Sequence, residues 1–419
     1  MNSSNPPLGI DPFDDPLDRI LAEIAFSLQL PPTQYQKAAE RYGAVRKYLE
    51  ETSDLFKDQV EHFYPQGSMS IDATISTKGT DDEYDLDIVA QLGGTFRHMA
   101  PLDILKALEK ALKGYRGLKV VRQSRCVTLY YSDGMHLDIS PSIRELETPD
   151  RQSHICHAKG PNASTGDHMV PMNAKAFGLW YRASTPLEQR VVDSFAKRWE
   201  DLDPLSIRAD AEVDDVPEPI SFVVKNTATL ALQLHKRYRN IQYTDVAGRM
   251  PPSVLLSYFA GTTARPNTPL SEMVIRMART MISEIENASL YGRTIDVCNP
   301  CHDQDVLTDR WPETVAQQNV YCGQLKELVA GLEEIRAGRM LPTDMMDWLR
   351  DKFGERVVTK AADRMAAQVG DAVQGSTQHY APKGKLIVPP PTIVAAPAIS
   401  APTGAVASGR DHTFFGKKI

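Results

Sequence analysis

Apolar and polar residues alternate along a short stretch in the first quarter of the chain, which is the pattern of a strand with one buried face. In Tyr84–Ala90, Leu86 and Ile88 fall on one face, whereas Asp85 and Asp87 fall on the other. Alternate residues on a strand are about 6.6 Å apart along its axis. The pattern therefore predicts a strand that presents two aspartates side by side.

A second alternating region predicts a β-hairpin. Val127–Tyr131 is rich in strand-forming residues, Ser132–Gly134 is a turn signal, and Met135–Ile139 alternates again. In this hairpin Leu137 faces inward and Asp138 faces the opposite way. If the hairpin pairs beside the first strand, Asp138 comes within reach of the two aspartates there.

Most of the remaining chain follows the helical period of about 3.6 residues. One predicted helix has the clearest signals, with Thr268 as its N-cap, Pro269 as its first residue and methionines at every fourth position along one face. The predicted helices are Pro16–Leu30, Thr33–Thr52, Pro101–Lys113, Lys225–Arg239, Ser253–Ala260, Pro269–Ile285, Val315–Arg336, Thr343–Phe353 and Val357–Val373, and a further helix begins near Asn173.

These elements divide the 419 residues into two domains and a tail. Residues 1–215 contain the N-terminal helices and the strand-rich part, and residues 216–376 form a helical domain. Residues 377–419 are rich in proline and alanine and are expected to be extended or disordered. The aromatic pair Phe414-Phe415 in this tail fits either a docking peptide or a solvated end.

Composition and charge argue against several classes of protein. The apolar fraction of 42% is enough for folded cores, and the net charge of −7 argues against stable, sequence-independent binding to nucleic acid. The sequence shows no membrane span and no signal peptide, and five cysteines suit a reducing cytoplasm. Cys298 and Cys301 are expected to be ordinary loop residues, because further zinc ligands and an export signal for haem attachment are lacking.

The candidate chemistry lies in one ordered set of residues. Gln66-Gly67-Ser68 can form a phosphate-binding turn, Asp85 and Asp87 follow after sixteen residues, and the hairpin adds Asp138. Three converging carboxylates can hold two Mg²⁺ ions, with Mn²⁺ as a substitute, because paired catalytic metals lie about 3.5–4 Å apart. Asp138 can also accept the proton of an attacking hydroxyl. The set predicts a nucleotidyltransferase that acts on nucleoside triphosphates.

Other copies of these short motifs lack the accompanying elements. Gln374-Gly375-Ser376 has no aspartate pair behind it, Asp201 and Asp203 run into a proline, and Asp303 and Asp305 are expected in a polar loop. Each copy is therefore interpreted as a turn or a solvated acidic segment. The specificity of the prediction lies in the order of turn, strand and hairpin.

Two residues of the helical domain are candidates for binding phosphates. Lys236 lies at the basic end of a predicted helix and can supply a point charge, and Ser253 opens the next helix, where anions are favoured. From composition alone, both residues are expected at the surface.

Taken in order, these residues resemble the bacterial CD-NTases, the cGAS/DncV-like (SMODS-type) nucleotidyltransferases of CBASS antiphage operons. The resemblance extends over nearly the whole chain, up to about Gln374. Its motifs are Pro65–Ser68, Tyr84–Val89, His136–Ile139, Asn173–Tyr181, Leu234–Arg239, Pro252-Ser253 and the segment from Asn299-Pro300 to Trp311. Ala174 and Ala176 replace the proline and glycine that this family usually has.

The resemblance implies an α+β fold, in which a polymerase-beta-like nucleotidyltransferase palm and a C-terminal all-helical lobe are spanned by a long N-terminal helix. It implies that Gln66-Gly67-Ser68 holds the donor triphosphate, that the three aspartates hold two Mg²⁺ ions, and that Lys236 and Ser253 contact the triphosphate. It further implies a downstream effector protein that the product activates, and an operon-encoded partner that regulates the enzyme or modifies its tail.

The predicted function is a cytoplasmic enzyme that joins ATP and GTP into a cyclic di- or trinucleotide, such as a cyclic GMP-AMP, for antiphage signalling. A 3′- or 2′-hydroxyl attacks the α-phosphate of the donor, and a second attack closes the ring. One alternative is template-independent transfer to RNA or to a small acceptor, which the acidic charge and the resemblance through the helical lobe disfavour. Another is a catalytically silent nucleotide sensor, which the three intact carboxylates disfavour.

Overall fold

The structure is a computed structural model that describes residues 12–30, 32–76, 84–145, 147–149, 151–202, 226–246, 248–374, 379–380 and 387–388. A mixed sheet with helices and an adjoining helical lobe make up these ranges, so the predicted α+β class is confirmed. The expected boundary between residues 215 and 216, and nearly all of the expected tail, lie outside the described residues.

The sheet is mixed because one pair of its strands is parallel. In the described ranges its strands are β1 (Val60–Gln66), β2 (Tyr84–Leu92), β3 (Lys119–Arg122), β4 (Val127–Tyr130), β5 (Met135–Ile143), β6 (Ser153–His157) and β7 (His168–Met172). They lie in the order β1-β2-β5-β4-β3, with β6 joining β5 and β7 pairing with β6. β2 and β5 are parallel, whereas β1–β2 and β4–β5 are antiparallel. The predicted hairpin is therefore β4–β5, and it pairs directly beside β2.

The predicted helices are all present, with their ends shifted by a few residues. The helices are α1 (Pro16–Ser27), α2 (Pro32–Thr52), α3 (Gly67–Ser70), α4 (Pro101–Leu112), α5 (Ala174–Ser184), α6 (Gln189–Leu202), α7 (Thr227–Gln242), α8 (Ser253–Thr263), α9 (Leu270–Leu290), α10 (Val315–Arg336), α11 (Pro342–Phe353) and α12 (Glu355–Gln374). Short strands β8 (Cys298–Asn299) and β9 (His302–Val306) pair between α9 and α10, and β10 (His379–Tyr380) pairs with β11 (Ile387–Val388). None of the described helices combines the length and apolarity needed to cross a membrane.

The sheet and the helical lobe have separate cores. Leu86 and Leu137 point into the core under the sheet, where they pack with apolar residues of α2 and α4. This is the inward face that the alternation predicted. The helices from α7 onward share a second core, which includes the methionine stripe of α9. Each lobe is thus stabilised by its own apolar burial.

The N-terminus of α9 differs from the prediction. The helix starts at Leu270, and Pro269 is its N-cap, with its carbonyl accepting from the Met273 N–H at 2.9 Å. The first-turn N–H of Ser271 donates instead to Asp18 Oδ1 at 2.7 Å. Thr268 is therefore not the cap, because a carboxylate from α1 supplies the acceptor that the helix start requires.

Two N-terminal helices connect the two lobes, in place of the single long helix that the resemblance implied. Leu17 and Leu21 of α1 pack in the core of the helical lobe, whereas Val45 and Leu49 of α2 pack in the core of the sheet. The helix α1 stops at Ser27 and α2 begins at a proline, a residue that suits the first turn of a helix but not its interior. The chain thus passes from one core to the other between α1 and α2.

Candidate active site

The register of two parallel strands brings the three predicted aspartates to one face of the sheet. Asp87 of β2 is the direct partner of Asp138 of β5, and Asp85 is the partner of His136. All four side chains are half-buried, whereas the alternate leucines between them are buried on the opposite face. His136 Nδ1 lies 3.5 Å from Asp85 Oδ1. The strands therefore hold the carboxylates as neighbours without any contribution from loops.

A threonine on the next strand fixes the orientation of Asp138. Thr128 of β4 is opposite Asp138 in the antiparallel pair, and its Oγ1 donates to Asp138 Oδ1 at 2.6 Å. Thr128 is 4% exposed, so solvent does not compete for this bond. The hydrogen bond stabilises the charged carboxylate and restricts its side-chain rotation.

The aspartates suit a divalent cation whose ligands the substrate completes. In the part of the chain that the structure describes, no three His, Cys, Asp or Glu side chains converge closely enough to form a whole metal site. Mg²⁺ is usually bound by one or two carboxylates together with water and substrate phosphates. Both carboxylates also act on the neighbouring Cys126 thiol: burial raises its pKa, and the charges of Asp138 and Asp87 raise it further.

The predicted phosphate turn lies against Asp87. β1 ends at Gln66, the register partner of Asp87, and Gly67 begins α3 with φ of 58°. A Cβ on Gly67 would lie 2.6 Å from Asp87 Oδ2, so a larger residue would strain the backbone and displace the Asp87 carboxylate. Ser68 follows, and its Oγ accepts from Thr74 Oγ1 at 3.3 Å. The turn and the carboxylates thus form one continuous surface.

The helical lobe contributes buried cations to the same place. Lys236 of α7 is 3% exposed, and its Nζ donates to the Ala73 carbonyl at 2.9 Å. Burial and, to a smaller extent, the nearby positive charge of Arg239 lower the pKa of Lys236 to about 7, and the charge of Asp87 acts in the opposite direction. The surface position expected from composition alone is therefore wrong for Lys236.

Ser253 is tied to a second buried cation, which the sequence did not single out. Arg239 Nη1 donates to Ser253 Oγ at 3.1 Å and to the Pro251 carbonyl at 2.7 Å. Burial lowers the pKa of Arg239 to about 10. Ser253 opens α8 as predicted. Basic groups and a helix N-terminus therefore face the palm from the other lobe.

A cavity of about 550 Å³ lies between these two walls. Asp138 lies beside Asp87 and is not part of the cavity wall, whereas the other predicted site residues are. The polar and charged side chains of the wall are Gln66, Ser68, Ser70, Thr74, Asp85, Asp87, Arg125, Lys236, Arg239, Asn240, Ser253, Ser257, Asn299, Asp305, Asp309 and Arg310. We call the side with Asp85 and Asp87 the anionic wall and the facing side with Lys236 and Arg239 the cationic wall, although charges of the opposite sign also line the cavity elsewhere. The volume suits a nucleotide-sized ligand.

Asp305 was expected in a solvated loop, and this prediction is wrong. It lies on β9, and its Oδ2 accepts from the Asn173 N–H at 3.0 Å and from Asn299 Nδ2 at 2.8 Å. Burial raises the pKa of its carboxyl group. Asn173 also caps α5 by accepting from the Ala176 N–H at 3.0 Å, so the helix forms despite the departures from the family's usual residues.

A charged pair from distant parts of the chain also lines the cavity. The Arg125 guanidinium donates to the Asp309 carboxylate, and Arg310 lies next to this pair. Burial lowers the pKa of Arg310, and the positive charges of Arg125 and Arg249 lower it further. No local pattern predicts this group, because its members meet only through tertiary structure. Cys298 and Cys301 were expected in a loop, but only Cys301 lies in a turn, whereas Cys298 begins the short strand β8; both are free thiols.

A polymerase-beta-like palm with paired strand carboxylates, facing a cationic helical lobe, defines the class of nucleotidyltransferases. Residues 17–166 match the family described as Second Messenger Oligonucleotide or Dinucleotide Synthetase domain. Over 409 residues the chain is 46% identical to "Cyclic dinucleotide synthase CdnG" of Bradyrhizobium diazoefficiens, covering 97% of this chain and 96% of the relative. The chain therefore belongs to the CD-NTase family of SMODS-type nucleotidyltransferases.

Further relatives agree with this membership. A "c-di-GMP synthase" of Roseivirga ehrenbergii is 24% identical over 84% of this chain and 88% of the relative. The solved structure of the Bradyrhizobium diazoefficiens CD-NTase CdnG in complex with GTP superposes with a TM-score of 0.74, covering 84% of this chain and 99% of that one. A CdnC structure from E. coli MS115-1, 14% identical with a TM-score of 0.54, covers 81% of this chain and 97% of that one and shows the shared fold.

Proposed function

We propose that this enzyme joins two nucleoside triphosphates into a cyclic dinucleotide, with GTP as at least one substrate. The observation that carries the proposal is the pair of opposed walls around one cavity. Asp85 and Asp87 face it from the palm, and Lys236 and Arg239 face it from the helical lobe. The relative that is 46% identical is named a cyclic dinucleotide synthase, and its solved structure contains GTP.

Asp85, Asp87 and Asp138 are the residues that would hold Mg²⁺, with Mn²⁺ as a substitute. When bound, two such ions would lower the pKa of the attacking hydroxyl and neutralise the departing pyrophosphate. A hard cation with oxygen ligands suits these carboxylates, and the phosphate turn against Asp87 brings further oxygen ligands with the substrate. The carboxylates must be ionised in this role, which the Thr128 hydroxyl supports at Asp138.

The other site residues orient the donor. Because Gly67 has no side chain, a phosphate can lie close to the backbone there, and the Ser68 hydroxyl lies beside this position. Lys236 and Ser253 meet the triphosphate from the opposite wall, where a charged ammonium lowers the energy of the developing negative charge. Asp138 accepts the proton of the 3′- or 2′-hydroxyl of the acceptor. Each of the two phosphodiester bonds formed releases one pyrophosphate, and the same residues serve both steps.

The resemblance to antiphage CD-NTases extends the proposal to the fate of the product. The cyclic dinucleotide acts in the cytoplasm on an effector protein, and a partner from the same operon regulates the enzyme or modifies its C-terminal tail.

The test is to incubate the purified protein with Mg²⁺ and radiolabelled ATP, GTP, CTP and UTP, singly and in pairs. We expect a phosphatase-resistant product whose mass is that of a cyclic dinucleotide containing guanosine, with two pyrophosphates released per ring. Digestion with nucleases selective for 3′–5′ linkages then identifies each bond. Linear products attached to RNA or to a small acceptor would contradict cyclisation, and nucleotide binding without pyrophosphate release would contradict catalysis.

A further inference from the structure

Two glutamines from different parts of the chain form a buried amide pair between the lobes. Gln29 follows α1 and is 5% exposed, and Gln233 lies on α7 and is fully buried. Gln29 Nε2 donates to Gln233 Oε1 at 2.7 Å, and Gln233 Nε2 donates back to Gln29 Oε1 at 3.1 Å. The two side chains therefore bind each other reciprocally, as paired amides do.

The remaining amide protons of the pair bind backbone carbonyls. Gln29 Nε2 also donates to the Ala25 carbonyl at 2.9 Å, and Gln233 Nε2 donates to the Thr74 carbonyl at 3.0 Å. A 180° flip of either amide would place its oxygen next to a backbone carbonyl oxygen, so the network permits one orientation of each group. This amide network joins the end of α1, the middle of α7 and the palm segment after the phosphate turn.

The palm segment that the network holds leads directly to the phosphate turn. Thr74, whose carbonyl binds Gln233, uses its hydroxyl to contact Ser68 Oγ at 3.3 Å. The preceding carbonyl, that of Ala73, accepts from Lys236 Nζ, and the Ala73 N–H donates to the Ser68 carbonyl at 2.9 Å. Gln233 and Lys236 are three residues apart on α7 and so lie on the same face. Two successive carbonyls of the palm are thus bound by one face of the opposite lobe.

We propose that Gln29 and Gln233 are positioning residues that set the separation between the phosphate turn and the cationic wall. The inference rests on the proposed function, since the distance matters only if one triphosphate bridges Ser68 and Lys236. Neither glutamine belongs to the wall of the cavity. They act by fixing the position of Thr74 and of α7 relative to each other. A change in this position would displace the bound reactants, and a small displacement is enough to slow a reaction markedly.

At this buried position, a pair of amides stabilises the fold less than a pair of apolar side chains would. Burying amides costs free energy that their mutual hydrogen bonds only offset, whereas two leucines of similar size would add apolar burial. Amides differ from leucines in fixing one register and one orientation of the segments that they join. The fully satisfied network therefore fits a role in alignment.

The experiment compares Gln233→Leu with Gln318→Leu. Gln318 is also fully buried, and it also binds through its side chain, to Ser289 Oγ at 2.8 Å, the Arg293 carbonyl at 3.0 Å and the Ile295 N–H at 2.8 Å. Its partners all belong to the helical lobe, outside the wall of the cavity. Gln318→Leu therefore reproduces the loss of a buried amide without the contact between lobes.

We expect Gln233→Leu to weaken binding of a non-hydrolysable GTP analogue with Mg²⁺ about tenfold and to lower kcat about tenfold. Titration calorimetry and pyrophosphate release, both well below the melting temperature of each variant, provide the measurements. Gln318→Leu should lower the melting temperature and leave both values near those of the wild type. Gln29→Leu should reproduce Gln233→Leu, and the double variant should be no worse than either, because the same pair is broken.

Wild-type affinity and kcat in Gln233→Leu, or an equal loss in Gln318→Leu, would overturn the positioning role. Should Gln233→Leu not fold, Gln29→Leu decides, because it breaks the pair from outside α7. A wild-type enzyme that binds no triphosphate would instead contradict the proposed function itself.

Discussion

The two walls of the cavity are built by opposite means. The palm presents Asp85, with a side chain that is 27% exposed, on a strand whose other face is in the core. The helical lobe presents Lys236 and Arg239, which are 3% and 4% exposed, from a helix that is buried along most of its length. Anionic groups are therefore held at a surface by alternation, whereas cationic groups are held in the interior by carbonyl oxygens. The first arrangement keeps its charges in contact with water. The second removes its charges from water, which costs free energy.

The largest effect is expected on the anionic wall. Replacing both strand carboxylates, as Asp85→Asn with Asp87→Asn, should lower turnover by about 10³-fold or more, because amides bind Mg²⁺ and stabilise transition-state charge poorly. The melting temperature should stay close to that of the wild type, since both side chains are half-buried and face the cavity. Pyrophosphate release and thermal unfolding provide the two measurements.

The chain contains its own control for this double change. Asp303 forms a second Asp-x-Asp pair with Asp305 on β9, and its side chain is 98% exposed. Asp303→Asn should leave turnover within about twofold, as expected of a surface substitution. Turnover of the double variant within tenfold of the wild type would remove the palm aspartates from the chemistry.

The difference between the walls also explains what could be predicted from the sequence. The alternation in β2 and β5 is a local pattern, so it predicted the face of each aspartate and the hairpin, whereas the pairing of the hairpin beside β2 was only a condition that the structure meets. Lys236 lies in a helix whose residues are buried on all sides, so no polar stripe marks it, and composition placed it at the surface. Its place at the basic end of a helix made it a candidate for binding phosphates, but only the resemblance to a family set that role above a surface position.

Residues that depend on tertiary contacts were missed for the same reason. Arg239 owes its role to its contact with the start of α8, and Asp305 owes its burial to Asn173, which is distant in the chain. The capping of α9 by Asp18 is a further case, because a threonine of suitable type stood at the expected position. Such assignments require the packing of the lobes to be known.

The next effect concerns the cationic wall and separates function from stability. Lys236→Met should lower turnover by about 10²-fold, because the negative charge of a bound triphosphate favours the charged ammonium of Lys236, and methionine supplies no such charge. The folded-state pKa of Lys236 is about 7, below its ordinary value of 10.5. Between these values the unfolded chain carries a proton that the folded protein has released. The free energy of unfolding of the wild type should therefore rise with pH over this range, relative to the variant.

The difference between the two proteins should change by roughly 1 kcal/mol per pH unit, measured by urea unfolding from pH 7.5 to 9.5. The variant has its greatest relative stability at the low end of this window. The comparison concerns slopes, so the hydrogen bond to Ala73 that the variant loses does not affect it. Lys352→Met, at a lysine paired with Asp351 at 2.9 Å outside the cavity, should leave turnover unchanged. Parallel stability curves for wild type and Lys236→Met would mean that the lysine is charged in the folded protein.

The smallest effect tests how firmly the palm fixes its carboxylates. Thr128→Val keeps the branched shape on β4 but removes the hydroxyl that donates to Asp138, and should lower kcat about tenfold, as losses of such outer partners do. Thr128→Ser keeps the hydroxyl and should stay within about threefold of the wild type. Weaker Mn²⁺ binding by Thr128→Val, measured by calorimetry in the presence of a non-hydrolysable nucleotide, should accompany the loss.

Thr229→Val is the control that separates the effect of orienting Asp138 from the general effect of losing a buried hydroxyl. Thr229 is also buried, and its Oγ1 lies 3.1 Å from the Tyr181 hydroxyl within the helical lobe. The two valine substitutions should destabilise the protein to a similar degree, but only Thr128→Val should alter kcat and Mn²⁺ affinity. If Thr128→Ser fails as badly as Thr128→Val, the methyl group and packing matter more than the hydrogen bond. In that case the strand register alone, without the hydroxyl, holds the anionic wall in place.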